Sequence, residues 1–415
     1  MNIIKVKSYL LYLLPIILLT GPFLTDLSIS FIALLFILSC FFYDNKKYFQ
    51  NSFVLLLFGW CIILQFSSLL SNHVLLSLES SLFYFRYILF SLGVWFVLDN
   101  DQKFLKNFSY CFLFTFIFVI FDSYLQYFTG YNIFGFYYDG YRLSGVFNEE
   151  SILGTYIARL LPFFFALIIV SFSQYKFYLY CSVAVLLLAD TLVLLSGERT
   201  ALFLTILGSA LIILLISKFR YIRLIAFMIS MCLAALILHF DEDVNSRVIK
   251  DTIVETQIFQ DDKKIFSEGH ELLFQTGISM FYDNPIIGIG PKNYREVCKY
   301  EKYYIHVQTK TSLIKNCSTH PHNMYIQLLS ETGILGTLPV LLFLFSIIFI
   351  VIKHISRIYF FGIKKSKLSD FQLCLIVSIF LTLWPLAPSM NIFNNWISVI
   401  YFLPLGFLFY SFNKD

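Results

Sequence analysis

Long apolar stretches alternate with short polar ones along most of the chain, and this pattern predicts membrane-spanning helices. A helix needs roughly 20 apolar residues to cross the ~30 Å hydrocarbon core of a bilayer. Because lipid offers the backbone no hydrogen-bond partners, such stretches are expected to be helical. The predicted fold class is therefore an all-α integral membrane protein with about 12 transmembrane helices. The stretches are residues 8–24, 27–43, 52–69, 82–98, 108–129, 151–173, 176–196, 200–217, 221–239, 323–353, 371–388 and 394–412.

The longest polar interruption separates two predicted groups of helices. Residues 1–239 are predicted to form an N-terminal bundle of about nine spans, and residues 323–415 a C-terminal bundle of about three. Between them lies one large loop, residues 240–322, in which residues 268–283 have the pattern of an amphipathic helix. A second polar connection covers residues 130–150. Polar side chains that act outside the membrane are expected in these two connections.

The distribution of Lys and Arg predicts the orientation of the helices, since cytoplasmic connections carry an excess of both. Alternate connections hold many of them, such as Lys46 and Lys176, whereas the short connections on the other side hold only Arg142 and Arg199. This pattern places both termini in the cytoplasm and the 240–322 loop outside it. The net charge of +4 then follows from topology, and no nucleic-acid partner is expected.

The positions of the cysteines indicate whether the outer loop can contain a disulfide. Six of the eight cysteines lie in predicted spans, where they act as small hydrophobic residues. Cys298 and Cys317 are the pair in the loop, and an oxidising compartment would allow them to form a disulfide. Two free thiols are the alternative.

Ionisable residues in or beside the spans are candidates for function, because a charge inside a bilayer is costly. Arg86 and Arg159 lie toward the outer ends of the fourth and sixth spans, Arg199 precedes the eighth, and Glu149 and Glu150 precede the sixth. Arginines that converge on one outward-facing cavity would suit a diphosphate, since guanidinium groups bind phosphate oxygens in pairs. The alternative for Arg86 and Arg159 is a structural role, at headgroups or in ion pairs.

Histidines lie where the large loop meets the tenth span. His320 and His322 flank Pro321, and a neutral imidazole there could accept a proton from a sugar hydroxyl. The alternatives are two merely interfacial side chains, or a metal site that also uses His270. A metal is the lesser of these, because no Cys or carboxylate spacing completes a recognised site.

The residues that follow suggest how this helix is held. Asn323 is predicted to cap the tenth helix. Gly333 and Gly336 are predicted to let another helix approach closely. The backbone N–H groups of the glycine-rich stretch 288–293 are expected to add to an anion site.

Several motifs together resemble the O-antigen ligase and polymerase superfamily of bacterial envelope enzymes. The resemblance covers most of the chain from about Arg86 and predicts a ligase-related domain at roughly residues 140–350. The motifs are His322-Asn323 with Gly333-x-x-Gly336, Asp283-Asn284-Pro285-Ile286-Ile287-Gly288-Ile289-Gly290-Pro291, Ser196-Gly197-Glu198-Arg199-Thr200, Arg142-Leu143-Ser144-Gly145 with Glu150, and Trp384-Pro385 with Asn394-Asn395-Trp396.

The resemblance implies a glycosyltransferase-C-like fold in the bacterial inner membrane, with the active site between a large periplasmic loop and the helices. The implied donor is a glycan on undecaprenyl diphosphate. The implied acceptor is lipid A-core in a ligase or a second lipid-linked glycan in a polymerase. Membrane lipids are expected to surround the protein. No metal or nucleotide cofactor is expected. Ligase is the preferred prediction and polymerase the alternative; a protein O-glycosyltransferase and a transporter of lipid-linked sugars are lesser ones.

Roles follow from the residues and the resemblance together. His322 and Arg199 are predicted to be catalytic, His322 as the general base and Arg199 at the diphosphate. The other predicted substrate contacts are Arg142, Arg86, Arg159, Glu150, His270, Arg295, Asn323 and His320, of which His320 acts from behind His322. One departure concerns His270, which stands where many ligases carry an arginine. Its part of the diphosphate contact is expected from His270 itself, Arg247 or Arg295.

Overall fold

The fold is that of a computed structural model, which describes residues 3–148, 150–256, 266–304, 306–308, 313–315, 317–360 and 368–413. Helices dominate these residues. The α-helices are α1 (Ile3–Ile17), α2 (Pro22–Ser39), α3 (Lys46–Phe49), α4 (Ser52–Leu69), α5 (Val74–Ser81), α6 (Phe85–Asn100), α7 (Phe104–Thr129), α8 (Leu153–Phe172), α9 (Lys176–Leu195), α10 (Arg199–Leu215), α11 (Arg220–Phe240), α12 (Glu242–Asn245), α13 (Asp251–Thr256), α14 (Glu268–Asp283), α15 (Tyr294–Val297), α16 (Met324–Ile355), α17 (Asp370–Thr382) and α18 (Asn395–Asn413).

Short irregular helical turns and one hairpin complete the secondary structure of the described residues. Single 3₁₀ turns cover Leu18–Thr20, Gly145–Phe147 and Glu301–Tyr303, and π-type turns cover Ser246–Lys250 and Ser356–Phe360. Strands β1 (His306–Gln308) and β2 (Leu313–Lys315) pair antiparallel, with His306 opposite Lys315. The hairpin lies within the large loop, so it does not alter the helical character of the bundle.

The prediction of an all-α membrane protein is confirmed, and a helix lies at each of the twelve predicted spans. Within the described residues, ten helical segments are long and apolar enough to cross a membrane. The other two, α10 and α17, have 17 and 13 residues. At 1.5 Å per residue α17 covers about 20 Å, which is less than the hydrocarbon core. The count of twelve full spans is therefore not established. The amphipathic helix predicted at residues 268–283 is α14.

The centre of the bundle is formed by helices that are apolar around their whole circumference. In the most apolar part of α8, 89% of residues are buried within the protein, against 17% in α11. A helix that is apolar on every side must be covered by other helices or by lipid. Helix α8 packs against α17, and α18 packs against α6, whereas α11 packs mainly on α9. Helix α11 is therefore a peripheral helix with a broad face left for lipid.

One end of the bundle gathers the polar connections. The N-terminal ends of α8 and α10, the segment 246–256, the start of α14 and the residues after α17 line one common cavity there. We call this side of the molecule the loop end. Because successive long helices run in alternate directions, residues far apart in the sequence meet at the loop end.

Two glycine-containing motifs pack against each other beside this cavity. The N–H groups of Ile289 and Gly290 donate to the carbonyls of Ser330 and Glu331, at 2.9 and 2.8 Å. Gly333 has φ +62° inside α16, where the helix kinks, and a Cβ on it would lie 2.3 Å from the backbone of residue 286. The predicted close approach at Gly333 therefore exists, but the partner is the 284–291 loop rather than another helix.

An ion pair inside the bundle links three helices. Arg223 of α11 donates to both carboxylate oxygens of Asp190 of α9, at 2.7 and 2.8 Å, and also to the hydroxyl of Ser209 of α10. The Arg223 side chain has no exposed surface and that of Asp190 is 6% exposed. Each charge is acceptable in this place only because the other is present.

Removing one member of this ion pair should destabilise the protein. Arg223→Leu leaves the carboxylate of Asp190 buried and unpaired, which costs about 3–5 kcal/mol. The double variant Asp190→Leu/Arg223→Leu should recover most of that loss, since no charge remains. Thermal unfolding of the purified protein in detergent measures both. Lys47→Leu, which breaks an ion pair with a 59% exposed lysine, serves as the control and should change little. Equal stability of Arg223→Leu and the wild type would contradict this.

Candidate active site at the loop end

A cavity of about 610 Å³ lies at the loop end and combines polar and apolar walls. Its volume is within the range typical of small-molecule sites, roughly 300–1,000 Å³. The residues that line it are Arg142, Ser151, Thr155, Arg159, Glu198, Arg199, Thr200, Phe203, Arg247, Thr252, Glu255, Thr256, Phe266, Ser267, His270, His322, Leu386, Ala387, Pro388, Ser389 and Met390. The cavity therefore draws on seven separate parts of the chain.

Four arginines share this cavity. Arg142 comes from the 130–150 connection, Arg159 from α8, Arg199 from the start of α10 and Arg247 from the π turn. Burial, and then the nearby charge of Arg247, hold the pKa of Arg142 below its usual value. Guanidinium groups that are forced close together repel one another, so an anion that enters between them relieves that repulsion.

Arg199 has an internal anionic partner. Its guanidinium donates to a carboxylate oxygen of Glu255 at 2.7 Å and to the hydroxyl of Thr252 at 3.2 Å. Both partners lie on or beside α13 and line the same cavity. The Glu255 side chain is 36% exposed, so solvent weakens this pair and an incoming anion could replace the carboxylate.

Arg247 and Arg159 are more deeply buried. The Arg247 guanidinium lies 4.7 Å from the ring centre of Tyr141 and donates to the Tyr141 hydroxyl at 2.8 Å. Arg159 is 3% exposed and reaches the carbonyls of Leu381 and Thr382 at 3.4 Å. Among the described residues, the Nε atoms of both arginines lack a hydrogen-bond partner. Because those Nε atoms are fully buried, these two arginines contribute to the cavity mainly through their charge.

Glu198 joins the ends of two helices at the cavity. Its carboxylate accepts from the N–H groups of Gly154 and Thr155, at 2.6 and 3.1 Å, and from the Thr155 hydroxyl at 2.7 Å. The backbone N–H groups in the first turn of a helix have no partner within the helix. In α8 the Glu198 carboxylate accepts hydrogen bonds from two of them. Burial raises the pKa of Glu198 to about 6. Since its oxygens are occupied by the backbone, Glu198 fixes the position of Arg199 beside it.

His322 reaches the cavity from a strained backbone position. Its φ of +54° is in the left-handed region, which costs a non-glycine residue about 1–3 kcal/mol. The Ser389 N–H donates to the His322 carbonyl at 2.7 Å and helps hold this conformation. The nearest described partner of the ring is the Ser318 hydroxyl, at 3.4 Å from Nε2. The imidazole is therefore positioned by the backbone and is left with a largely free ring nitrogen.

Two more histidines surround His322. The ring centre of His320 lies 4.1 Å from that of His322, and the His270 ring lies 5.7 Å away, perpendicular to it. Burial, and then the nearby His270, lower the pKa of His322 to about 4. Burial and the neighbouring His322 lower the pKa of His320 to about 3, and burial also lowers the pKa of His270. All three rings are therefore neutral at pH 7.

Asn323 fixes the start of α16 next to His322. Its side-chain oxygen accepts from the N–H groups of Tyr325 and Ile326, at 3.0 and 3.1 Å, so the predicted helix cap is confirmed. Its amide also donates to the carbonyl of Pro385 at 2.9 Å. Asn323 thus ties α16 to the 384–390 segment, which forms one wall of the cavity, and does not itself line that wall.

Not all of the predicted site residues meet in this cavity. It brings together Arg199, Arg142, Arg159, His270 and His322. His320 stands behind His322, with its ring nitrogens near the Thr319 hydroxyl and the Ser389 carbonyl at 3.0 and 3.2 Å. This agrees with the place predicted for it.

Three predicted substrate contacts lie elsewhere. Arg86 forms an ion pair with Asp26 at 2.7 Å, so its charge is already neutralised outside the cavity. Arg295 is on α15 and does not line the cavity, although its charge acts on His320 behind His322. Glu150 lines a neighbouring pocket of about 280 Å³ with Trp396. Glu149 lies outside the described residues. These placements correct the expectation of one convergent set.

The glycine-rich loop is not an anion site either. The Ile289 and Gly290 N–H groups bond to α16, and the Gly288 and Asn293 N–H groups donate to the carbonyls of Asn284 and Gly290. These N–H groups already donate to carbonyls of the protein, and residues 288–293 do not line the cavity. The physical reason is that the positive-φ glycines serve the backbone contact with α16.

The disulfide prediction is confirmed, since Cys298 and Cys317 are joined with a Cα–Cα distance of 5.3 Å. It closes the part of the loop that follows α15.

In the described part of the chain, no group of three or more His, Cys, Asp and Glu side chains could hold a metal ion.

Two carboxylates and one short segment could not be assigned to the site from the sequence alone. Glu198 stands within a recognised motif, but its role at the end of α8 depends on a contact 44 residues away. Glu255 belongs to an acidic stretch with no distinguishing neighbour. Ser389 and Met390 could be placed at the cavity only once the fold had brought the end of α17 to His322.

The residues that line the cavity indicate which chemistry it could support. Four fixed positive charges can bind a polyanionic group, and a buried neutral imidazole in the same cavity can accept a proton. Apolar side chains such as Phe203 and Leu386 form part of the wall, so a ligand with both anionic and apolar parts would fit.

A comparison with known protein families gives one match. Residues 182–341 match the family described as O-antigen ligase. The matched segment contains Arg199, Arg247, His270 and His322, and it ends just after the glycine pair of α16. No curated protein matches the chain. The match over residues 182–341 supports a relationship of this part of the chain to the O-antigen ligase superfamily.

Proposed function

We propose that this protein is a membrane glycosyltransferase that moves a glycan from undecaprenyl diphosphate to an acceptor sugar at the periplasmic face. The observation that carries the proposal is the presence of four arginines and the neutral His322 in one cavity. A diphosphate donor needs fixed positive charge, and an attacking hydroxyl needs a proton acceptor. The family match supports glycan transfer and leaves the donor and acceptor to this proposal.

Donor binding would begin with the diphosphate between Arg199, Arg142, Arg159 and Arg247. Arg199 would exchange the carboxylate of Glu255 for phosphate oxygens, which gives a stronger, doubly bonded contact. Arg159 and Arg247, which line the same cavity, would add positive charge beside the phosphate oxygens. Unlike lysine, arginine keeps its charge when buried, so the site would hold its charge in a cavity that excludes water.

The chemical step would be a single displacement at the anomeric carbon. The acceptor hydroxyl oxygen forms the new bond to that carbon, and its proton passes to His322. The bond between the anomeric carbon and the diphosphate oxygen breaks with its electron pair, so undecaprenyl diphosphate leaves as an anion. The arginines stabilise the charge that develops on the leaving group. Attack from the face opposite the diphosphate inverts the anomeric configuration.

The orientation in the membrane rests on the charge distribution of the sequence. Lys and Arg are enriched in the connections on the side opposite the cavity, which favours a cytoplasmic location for that side and for both termini. The cavity would then open to the periplasm from the inner membrane, where lipid-linked glycans await transfer.

The acceptor proposed here is lipid A-core, which makes the protein an O-antigen ligase. The description of the matched family and the His322-Asn323 motif with its spaced glycines favour this choice over a polymerase. Deletion of the gene distinguishes the two. Loss of every glycan-capped core supports ligase, whereas core that carries a single repeat unit supports polymerase and overturns the proposed acceptor.

Removal of His322 or Arg199 should abolish most transfer while the protein remains folded. We expect His322→Ala to lower the rate about 10²–10⁴-fold, since a general base is lost. Arg199→Ala should lower it about 10²–10³-fold, since leaving-group stabilisation is lost. Purified protein, lipid-linked donor and acceptor provide the assay. His239→Ala and Arg220→Ala, which lie outside the cavity, are matched controls. Normal transfer by either well-folded cavity variant would remove that residue from the mechanism.

The dependence of transfer on pH should reflect the buried state of His322. The base works when unprotonated, so activity falls as the pH drops through its pKa. Because burial lowers that pKa from 6.5 to about 4, kcat/KM for the donor should stay flat from pH 8 down to pH 6.5 and fall only at lower pH. Initial rates across this range, with protein stability checked at each pH, measure it. A decline centred at or above pH 6.5 that His322→Ala abolishes would contradict the neutral buried base.

Glu255 should compete with the donor for Arg199. In Glu255→Gln the internal carboxylate is gone, so we expect KM for the donor to fall about two- to fivefold with little change in kcat. Steady-state kinetics at fixed acceptor concentration test this, and Glu242→Gln on the neighbouring α12 is the control. A rise in KM would mean that Glu255 orients Arg199 for the donor instead of blocking it.

A further inference from the structure

A second pocket adjoins the arginine cavity at the loop end. Its volume is about 280 Å³, slightly smaller than that of typical small-molecule sites. Met390 lines both spaces. Ser151 lines the arginine cavity, and its chain neighbours Glu150 and Ile152 line the pocket. The two spaces therefore share a wall made of residues 150–152 and Met390. We call the second space the Glu150 pocket.

Three connections between helices form the Glu150 pocket. They are the turn between α1 and α2, the residues around the 3₁₀ turn Gly145–Phe147, and the segment that leads into α18. The Trp396 indole N–H donates to the carbonyl of Leu18 at 2.8 Å, which ties the start of α18 to the end of α1. The Trp396 ring is 4% exposed and lies 6.0 Å from the ring of Phe147. Contacts within the protein therefore hold the pocket in shape.

Polar groups on the wall of this pocket are available to a ligand. The side chains of Asn148 and Glu150 are exposed, and neither forms a hydrogen bond or ion pair with another residue in the part of the chain that the structure describes. Asn148 has φ +56°, and strain of this kind in a non-glycine residue is often retained at ligand sites. Asn394 uses its side-chain oxygen to cap α18, where it accepts from the Trp396 N–H at 2.9 Å.

The charge of the Glu150 pocket is opposite to that of the arginine cavity. Among its lining residues in the described part of the chain there is no Lys, Arg or His, and the ionisable one is Glu150. This carboxylate would repel a diphosphate. An uncharged ligand with many hydroxyls suits the wall better, since a carboxylate accepts from hydroxyls and an amide can both donate and accept. Trp396 and Phe147 offer apolar surface to the C–H groups of a sugar ring.

We propose that the Glu150 pocket binds a sugar ring of the acceptor while the arginine cavity holds the donor. This inference rests on the proposed function. Inversion requires attack from the face opposite the diphosphate, so the acceptor and the diphosphate must lie on different sides of the anomeric carbon. A pocket that adjoins the cavity and carries the opposite charge meets this requirement. A saccharide of the donor glycan is the other source of the same chemistry, and the test separates the two.

The shared wall also brings the pocket close to the proposed base. Met390 follows Ser389, whose N–H donates to the carbonyl of His322 at 2.7 Å. An acceptor whose ring lies in the Glu150 pocket would extend its reacting hydroxyl past Met390 toward His322. Glu150 would accept hydrogen bonds from hydroxyls that do not react, so the proton of the reacting hydroxyl still passes to His322. Loss of Glu150 should therefore weaken acceptor binding and leave the donor contacts intact.

The kinetic test varies acceptor and donor separately, with purified protein, lipid A-core and a glycan on undecaprenyl diphosphate. Glu150→Gln keeps the side-chain size and removes the charge, and Asn148→Gly removes the amide at a positive φ that glycine accepts. We expect each variant to raise KM for lipid A-core about five- to tenfold, because hydrogen bonds to the sugar are weakened or lost. KM for the donor should not change. Glu242→Gln, exposed outside both spaces, should leave both values unchanged.

The kinetic outcomes separate the possible failures. A raised KM for the donor with an unchanged KM for lipid A-core would assign the pocket to the donor glycan and overturn the proposal. Unchanged values for both substrates in both variants would also overturn it, while transfer itself stands. Absence of transfer by the wild type would instead overturn the proposed function.

A binding measurement tests the pocket without transfer. Wild-type protein in lipid nanodiscs is irradiated with core oligosaccharide that lacks lipid A and carries a diazirine, in the absence of any donor. We expect crosslinks to residues 146–150 and 394–396 that excess unlabelled core oligosaccharide prevents and that Glu150→Gln reduces. Crosslinks confined to the arginine cavity, or insensitive to this competitor, would overturn the proposal. Labelling of the pocket only by a diazirine probe made from the repeat-unit oligosaccharide would overturn lipid A-core as its ligand.

Discussion

The positive charge gathered at the loop end is the constraint on which the rest of the structure depends. Arg142, Arg159, Arg199 and Arg247 share one cavity, and Glu198 and Glu255 are the carboxylates in its wall. Burial and the nearby charge of Arg247 lower the pKa of Arg142, as expected where positive charges lie close together. A cavity with this composition suits an anion, because the carboxylates in its wall are fewer than its arginines.

The neighbouring elements keep His322, the proposed proton acceptor, at a fixed place relative to that charge. The glycine loop and α16 contact each other backbone to backbone at Gly288 and Gly333, and Asn323 ties the start of α16 to the residues after α17. Ser389 holds the unusual backbone of His322 from the same segment. Catalysis by displacement requires this kind of rigidity, since the base, the hydroxyl and the leaving group must align.

The sequence predicted the features that depend on short-range patterns. Apolar periodicity located the helices, the spacing of His322 and the glycines indicated the site, and the Asn323 cap and the Cys298–Cys317 bridge follow from local chemistry. Partnership between distant residues could not be predicted. Arg86 is neutralised by Asp26, and the N–H groups of the glycine loop are used by α16, because the fold places those partners within reach. Glu255 can be identified as a candidate functional residue only from its ion pair with Arg199.

The central claim, that the arginine cavity holds the diphosphate of a lipid-linked donor, is tested most directly by an experimental structure with undecaprenyl diphosphate bound in lipid nanodiscs. The account predicts the diphosphate within hydrogen-bond distance of Arg199, with Glu255 displaced from its present contact. A diphosphate bound elsewhere, with the Arg199–Glu255 ion pair intact, would contradict it.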